Sequence, residues 1–267
     1  MGKIYEALER AQQKVESVSP PVPEPEKPSE EKAQRVLVTI DSPGSPIAEC
    51  FRFLRTSITR PLDGKPPRTV LVTSPLSGDG KTFVACNLAA TLSQGMDEWV
   101  LLVDCDLRKP QVHHVFGFHS CREGLSTHLA EDVPLPKLLK RTEIEKLTIL
   151  PGGNSTTRPA ELLTSTKMRA FIREVRDRYP DRFVLFDSTP LELAPETFAL
   201  ANEVDAVLLV IRRGRTPRHA VDRAMDRIHK EKLLGIVFNA YDKPIRAYRK
   251  YPSYKAYGEP EPKKGSR

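Results

Sequence analysis

Residues 69–93 read TVLVTSPLSGDGKTFVACNLAATLS and combine an apolar run, a glycine-containing turn and a helical pattern. The first five residues are β-branched or aliphatic and predict a buried strand. A helical pattern begins at Lys81, directly after the turn PLSGDGKT. Gly78 and Gly80 let the backbone of that turn approach a ligand closely, and its N–H groups can surround phosphate oxygens at the helix N-terminus. The stretch therefore predicts a phosphate-binding loop, or P-loop.

The P-loop predicts a nucleotide site in which each residue has a role. Lys81 is expected to reach the β- and γ-phosphates, and the Thr82 hydroxyl is expected to bind Mg²⁺. One position departs from the GxxxxGK[ST] pattern, because Pro75 stands where the first glycine is expected. A Gly-Lys-Thr turn alone also arises by chance, so the assignment needs further motifs. The expected nucleotide-binding residues are Gly78, Asp79, Gly80, Lys81, Thr82 and Phe83.

Two further apolar strands end in carboxylates. Residues 100–110 read VLLVDCDLRKP and place Asp104 and Asp106 after the strand. Residues 183–190 read FVLFDSTP and place Asp187 at the same point of another strand. Ligand sites in open α/β sheets lie at the carboxyl ends of strands, so these side chains should lie beside the P-loop. Asp106 and Asp187 are therefore expected to hold Mg²⁺ together with the threonine hydroxyl.

Apolar runs that suit buried strands alternate with helical stretches along the middle of the chain. This alternation indicates a parallel sheet that is covered on both faces. We therefore expect an α/β fold over residues 35–240, a P-loop NTPase with a mostly parallel sheet and helices on both faces. The expected strands lie at 70–72, 100–103, 147–150, 183–186, 207–211 and 236–238, and the clearest helices at 81–95, 166–179 and 217–231.

The two ends of the chain differ from this domain. Residues 1–16 carry an apolar stripe at helical spacing and predict an N-terminal helix, which either caps its own domain or docks on a partner. Residues 17–34 are rich in Pro, Glu and Ser and predict an extended linker. Residues 241–267 hold eight Lys and Arg against three Asp and Glu, and they predict a flexible basic tail.

Composition excludes several classes of protein. The longest apolar run, Ala206–Ile211, is too short to span a membrane. The net charge of +7 is concentrated in the tail rather than on a folded face, which argues against nucleic-acid binding. Neither the histidines nor the cysteines show a metal-ligand spacing, and the cysteines predict reduced thiols rather than disulfides. The four cysteines are Cys50, Cys86, Cys105 and Cys121.

Five of the seven tyrosines fall in the tail. An aromatic core stripe does not explain them, because prolines, glycine and charged residues interrupt the series. Base stacking in a basic nucleic-acid tail is a further alternative. The segment from Tyr241 to Tyr257 can extend roughly 50 Å, far enough to reach a neighbouring subunit. We expect these tyrosines to accept phosphate; they are Tyr241, Tyr248, Tyr251, Tyr254 and Tyr257.

Taken together, these motifs resemble the bacterial tyrosine kinases (BY-kinases) of polysaccharide co-polymerase systems. The family motif hhhDxDxR is matched by residues 101–108, and hhhDxxP by residues 184–190. The oligomerisation motif ExxRxxR is matched by Glu49, Arg52 and Arg55. Those three residues also suit an internal salt-bridge face of one helix. The N-terminal KIYEALERAQ is similar to members encoded beside exopolysaccharide and exosortase (PEP-CTERM) loci.

The resemblance implies a cytosolic tyrosine autokinase that uses ATP and Mg²⁺. It implies a homo-oligomer, most often a ring, whose subunits phosphorylate one another's tails and so regulate exopolysaccharide synthesis and export. It also implies a membrane-bound chain-length regulator that activates the kinase and recruits it to the inner face of the membrane, and a cognate tyrosine phosphatase. The sequence departs from the family at Pro75 and Ser77 in the P-loop, at DSTP in place of DTPP, and at Glu196, where Asp is common.

Four residues are expected to carry the chemistry: Lys81, Asp104, Asp106 and Arg108. Asp104 is the candidate to orient or deprotonate the tyrosine hydroxyl. Arg108 either stabilises charge on the transferred group or forms an ion pair.

Two other functions fit parts of the sequence. A Min/Par-type regulatory ATPase would carry a second lysine early in the P-loop, where Leu76 stands. A non-catalytic nucleotide-binding scaffold of a polysaccharide assembly system is the other alternative.

Overall fold

The computed structural model describes residues 37–61, 64–178 and 182–241. The predicted N-terminal helix and linker, and the tail beyond Tyr241 with four of its five tyrosines, lie outside the described residues. Within the described ranges, no helix combines the length and the apolar content that crossing a membrane requires.

A seven-stranded sheet forms the centre of the described chain, in the order β3-β4-β2-β5-β1-β6-β7. Every neighbouring pair is parallel except β3 and β4, which are antiparallel. The strands are β1 Thr69–Thr73, β2 Trp99–Asp104, β3 Lys140–Arg141, β4 Leu147–Leu150, β5 Arg182–Asp187, β6 Ala206–Arg212 and β7 Leu233–Asn239.

Helices connect the parallel strands, as crossovers between parallel strands require. The longest are α2 Pro46–Thr59, α3 Lys81–Ser93 and α8 Thr166–Arg178. The others are α1 Val38–Asp41, α4 Val112–Val115, α5 Leu125–Glu131, α6 Leu135–Leu138, α7 Pro159–Leu163, α9 Pro195–Glu203 and α10 Arg218–Asp226.

The central strands of the sheet are buried on both faces, as the continuous apolar strands predict, whereas Ile236 and Phe238 of the edge strand β7 are exposed. Successive β1 side chains point to opposite faces, so Leu71 joins one core cluster while Val70 and Val72 join the other. Helix α3 lies on the second face and buries 11 of its residues. The expected α/β architecture with a mostly parallel sheet is confirmed.

Three elements differ from the sequence prediction. Strand β3 was not expected, because its two residues are Lys and Arg and carry no apolar pattern. The helix predicted at 217–231 ends at Asp226, and a short 3₁₀ turn follows at Lys230–Lys232. The expected strand at 236–238 begins three residues earlier, at Leu233.

Candidate nucleotide and catalytic site

The P-loop lies between β1 and α3, at the carboxyl edge of the sheet. Gly78 and Gly80 both have left-handed backbone conformations, with φ of 80° and 96°. Asp79 is fully buried and braces the loop from inside. Its carboxylate accepts hydrogen bonds from the Leu76 amide (3.0 Å) and the Thr216 hydroxyl (2.8 Å). Asp79 therefore shapes the loop with its side chain, and only its backbone is available to a phosphate.

Residues at the ends of the neighbouring strands β6 and β7 also hold the P-loop. Asn239, at the end of β7, donates from Nδ2 to the Asp79 carbonyl oxygen at 2.8 Å. Arg212, at the end of β6, donates from Nη1 to the Gly78 carbonyl oxygen at 3.0 Å. Sequence reasoning assigned neither residue, nor Thr216. The sequence feature that could have indicated them is their position at or just beyond the ends of two apolar strands that follow Asp187 in the chain.

We expect Gly80→Ala to weaken nucleotide binding by about tenfold more than Gly214→Ala does. Both positions have positive φ, so both alanines incur about 1–2 kcal/mol of left-handed strain. A Cβ at Gly80 would also collide with Nδ2 of Asn239 and break its bond to the P-loop, whereas Gly214 has open space around it. Titration with a fluorescent ADP analogue measures the difference, and equal affinities for both variants would contradict the bracing role.

Three predicted residues converge on β5 beside the P-loop. Lys81 is buried, with 8% of its surface exposed, and its charge acts on both Asp187 and Asp106. The Thr82 hydroxyl hydrogen-bonds to Asp187. Burial raises the pKa of Asp187 to about 7, although the Thr82 bond and the Lys81 charge oppose that rise. Asp187 Oδ1 is buried and has no hydrogen-bond partner among the described residues.

This arrangement fits a divalent cation that also touches substrate phosphates. An orphaned carboxylate oxygen and a neighbouring hydroxyl are hard oxygen donors of the kind that Mg²⁺ prefers. The described residues contain no cluster of three or more His, Cys, Asp or Glu side chains suited to a metal. One or two carboxylates completed by phosphate and water are sufficient for Mg²⁺ in nucleotide sites.

The two acids after β2 have different surroundings. Asp104 pairs in register with Asp187 on β5 and is fully buried. Its Oδ2 accepts the amides of Gln111 (2.9 Å) and Val112 (3.0 Å), and its Oδ1 accepts the Asp106 amide at 3.1 Å. Burial raises the pKa of Asp104 well above its ordinary value, and the charge of Asp187 adds to the rise.

Asp106 is more accessible than Asp104. Its Oδ1 accepts the Lys109 amide at 3.0 Å. Burial raises the pKa of Asp106, and the Lys109 amide and the Lys81 charge partly offset the rise. The structure thus brings Asp104, Asp106 and Asp187 to one edge of the sheet, where the charge of buried Lys81 acts on the last two.

Arg108 forms an ion pair with Glu196, the first acidic residue of α9. Its Nη2 and Nε donate to Glu196 Oε1 at 2.9 and 3.2 Å. Half of the Arg108 side chain is exposed, whereas Glu196 is fully buried and its Oε2 has no partner in the described chain. Arg108 was expected either to stabilise charge on the transferred group or to form an ion pair, and the structure shows the ion pair.

We expect Arg108→Gln to destabilise the fold by about 3 kcal/mol, because it leaves the buried Glu196 charge uncompensated. The double variant Arg108→Gln/Glu196→Gln should recover most of that loss, since it removes both charges. Urea unfolding measures the stability of both variants, and a tyrosine phosphorylation assay measures their activity. If the double variant regains stability and activity together, Arg108 has no further role in phosphoryl transfer.

The predicted oligomerisation residues lie on α2 and make contacts within the chain. Arg52 donates to Glu49 Oε2 at 2.5 Å and to the Pro43 carbonyl oxygen at 2.6 Å. Arg55 donates to the Thr91 carbonyl oxygen of α3 at 3.3 Å. The internal salt-bridge reading therefore accounts for Glu49 and Arg52 in the single chain. Tyr241 is half-exposed, and the Arg213 guanidinium lies over its ring at 5.3 Å.

The fold and this edge of the sheet define a P-loop nucleotide-binding protein. A family model for the CobQ/CobB/MinD/ParA nucleotide binding domain matches residues 70–256. Tyrosine-protein kinase YwqD of Bacillus subtilis (strain 168) is 31% identical over 229 residues, which cover 85% of this chain and 93% of that protein.

Solved structures agree with this relationship. The chimerical protein CapA2B2 matches with a TM-score of 0.71 and 30% identity, over 78% of this chain and 90% of that one. The kinase domain of Escherichia coli tyrosine kinase ETK matches with a TM-score of 0.69 and 27% identity, over 78% and 82% of the two chains. The chain belongs to the bacterial tyrosine kinase family, within the CobQ/CobB/MinD/ParA group of nucleotide-binding domains.

The septum site-determining protein MinD of Pyrococcus horikoshii OT3, complexed with Mg-ADP, shares the fold. It matches with a TM-score of 0.53 and 24% identity, over 68% of this chain and 76% of that one. A likeness at this identity concerns the fold alone.

Proposed function

We propose that this protein is an ATP-dependent tyrosine autokinase that phosphorylates its own C-terminal tyrosine cluster between subunits. The observation that carries the proposal is the convergence of Lys81, Thr82 and Asp187, with a buried carboxylate oxygen that has no hydrogen-bond partner among the described residues. The tyrosine-rich tail supplies the acceptor, and the family supplies the class of reaction.

The P-loop binds and orients the triphosphate of ATP. Its backbone amides and the Lys81 ammonium neutralise the β- and γ-phosphates. Thr82, Asp106 and Asp187 are the residues that would hold Mg²⁺, which when bound neutralises charge on the phosphates. Closing this edge with a tail from a neighbouring subunit excludes water and favours transfer to tyrosine over hydrolysis.

A carboxylate beside the acceptor receives the phenolic proton. The bond between the γ-phosphorus and the bridging oxygen breaks, the tyrosine oxygen bonds to that phosphorus, and ADP leaves. Asp104 is our candidate acceptor, because its raised pKa increases its proton affinity and its Oδ1 accepts only one amide. Since the transition state of phosphoryl transfer is loose, positioning of the hydroxyl contributes more than its full deprotonation.

The proposed biological setting is exopolysaccharide synthesis or export. Glu49, Arg52 and Arg55 on α2 would contact a neighbouring subunit in a homo-oligomer, which we propose to be a ring. A membrane-bound chain-length regulator would activate the cytoplasmic kinase and recruit it to the membrane, and a cognate phosphatase would reverse the reaction. Exposed Ile47 and Phe53, on the same helix, add apolar area suited to such a contact.

Two alternatives remain distinguishable by experiment. A Min/Par-type ATPase would hydrolyse ATP without forming phosphotyrosine, and a scaffold would bind nucleotide without turnover. Leu76 in place of an early P-loop lysine favours the kinase over the first alternative.

Phosphotyrosine mapping by mass spectrometry tests the proposal. We expect wild-type protein with Mg·ATP and the cytosolic segment of the regulator to carry phosphate on the cluster from Tyr248 to Tyr257. A variant with all four of these tyrosines changed to Phe should lose most of the signal, whereas the matched variant Tyr5→Phe/Tyr179→Phe should keep it. ATP hydrolysis without phosphotyrosine would favour the ATPase, and nucleotide binding without either product would favour the scaffold.

A further inference from the structure

A cavity of about 340 Å³ opens beside the second acidic motif, apart from the P-loop. One wall is the segment from Arg108 to Arg122, and the other is the loop Gly153–Ser155. Two backbone bonds tie this loop down: the Asn154 amide donates to Arg122 O at 3.0 Å and the Thr156 amide donates to Leu107 O at 3.0 Å. The cavity is therefore part of the fixed architecture, and it has room for about ten water molecules.

Three cationic side chains and no carboxylate line this cavity: Arg108, Lys109 and Arg122. Three histidines also line it, and Arg108 is already paired with Glu196. Within the described chain, Lys109 and Arg122 form no ion pair, although a solvated surface usually mixes both signs of charge. A concave site with unneutralised cations attracts a small anion.

His113 is the buried polar group of the cavity wall. Only 7% of its surface is exposed, and its Nδ1 is buried with no hydrogen-bond partner in the described part of the chain. Its ring stacks against His114 with the centroids 4.0 Å apart, so one cavity edge presents two imidazoles. Since Nδ1 is enclosed, the Nε2 side is the part of the ring through which His113 can donate to a ligand. The described residues contain no metal-binding cluster, so a cation is not the expected occupant.

We propose that this cavity, which no P-loop residue lines, is a second anion site that binds a phosphate, either free or as a monoester. Guanidinium and ammonium groups with an imidazole N–H are the donors that phosphate oxygens accept most strongly. The volume exceeds that of a single ion and reaches the range of small-molecule sites. The source is either a phosphotyrosine side chain from another copy's tail, which rests on the proposed kinase function, or inorganic phosphate, which does not.

Calorimetric titration of the full chain tests the site without kinase turnover. The background is Lys81→Met, with no ATP present, and the probes are free phosphotyrosine, inorganic phosphate and unmodified tyrosine. We expect phosphotyrosine to bind, tyrosine not to bind, and Arg122→Gln to weaken the phosphotyrosine affinity about tenfold. Arg173→Gln, an exposed arginine on α8 away from the cavity, is the matched control and should leave the affinity unchanged.

Ring signals of the histidines in NMR spectra provide a second readout, in which His113 and His114 should shift with phosphotyrosine. Tighter binding of phosphotyrosine than of phosphate assigns the tail as the source, and equal binding assigns inorganic phosphate. If neither probe binds, or if Arg122→Gln and Arg173→Gln behave alike, the second anion site is wrong. A failure of the kinase proposal would instead leave these titrations unchanged, because they need no phosphorylation.

Discussion

Lys81→Met is expected to reduce tail phosphorylation at least a hundredfold, roughly the effect of removing one preorganised transition-state donor. The charge of the Lys81 ammonium lowers the pKa of both Asp106 and Asp187, against the rise that burial causes. Without it, the β- and γ-phosphates lose their cation and the two acids become harder to ionise. Methionine has a similar length and no charge, so the loss reports the charge rather than the shape.

Phosphotyrosine on the tail, quantified by mass spectrometry with Mg·ATP, measures this effect. Lys137→Met is the matched control, because Lys137 is exposed on α6 and should show wild-type phosphorylation. Mixing Lys81→Met, which has an intact tail, with a kinase whose four tail tyrosines are Phe tests transfer between subunits. Phosphate on the Lys81→Met chain would demonstrate that transfer, and near-normal activity of Lys81→Met alone would refute the role of the lysine.

Asp187→Asn is expected to abolish Mg²⁺-dependent phosphorylation and yet stabilise the nucleotide-free protein. The pKa of Asp187 is about 7 in the fold, against an ordinary value of 3.8, so burial disfavours its charged form. The unfolded chain ionises first as pH rises, and stability falls between about pH 4 and pH 7. Asparagine at this position cannot ionise, so the variant does not lose stability over this pH range. We expect a gain of up to about 4 kcal/mol at pH 8, since the pKa is raised by about three units and each unit corresponds to about 1.4 kcal/mol.

Urea unfolding at pH 5 and pH 8 measures the stability change, and the wild type should lose more stability between these values than the variant. Adding Mg·ADP should stabilise the wild type and have little effect on Asp187→Asn. Exposed Asp97 provides the control, since Asp97→Asn should alter neither property. If the Asp187→Asn variant is less stable than the wild type at pH 8, the buried carboxylate stabilises the fold, which would contradict the expected gain.

Much of the fold could be predicted from short stretches of sequence. The six predicted apolar strands all exist. The central ones are predictable because a strand buried on both faces must be apolar at every position. The P-loop could be predicted because a strand, a glycine turn and a helix are consecutive in the chain. Strand β3 could not be predicted, since it has no apolar pattern. The end of α10 at Asp226 could not be predicted either, and a 3₁₀ turn follows it at Lys230–Lys232.

The long-range hydrogen bonds that hold the P-loop cannot be predicted from local sequence patterns. Asn239 and Asp79 are 160 positions apart, and Thr216 and Asp79 are 137 apart. They meet because β6 lies beside β1 and β7 lies beside β6. Strand order depends on long-range packing, so no periodicity within one segment predicts these bonds.

Residue types and spacings along the chain predict a nucleotide site at the end of β1, with Lys81 and acids from two other strands. The differences between these groups depend on the tertiary fold. Among the described residues, Asp187 keeps an oxygen without a hydrogen-bond partner, Asp104 accepts three amides, and Arg108 pairs with Glu196, 88 positions away. The physical reason is that residue type and spacing are local properties, whereas desolvation and charge pairing depend on which distant segments the fold brings together.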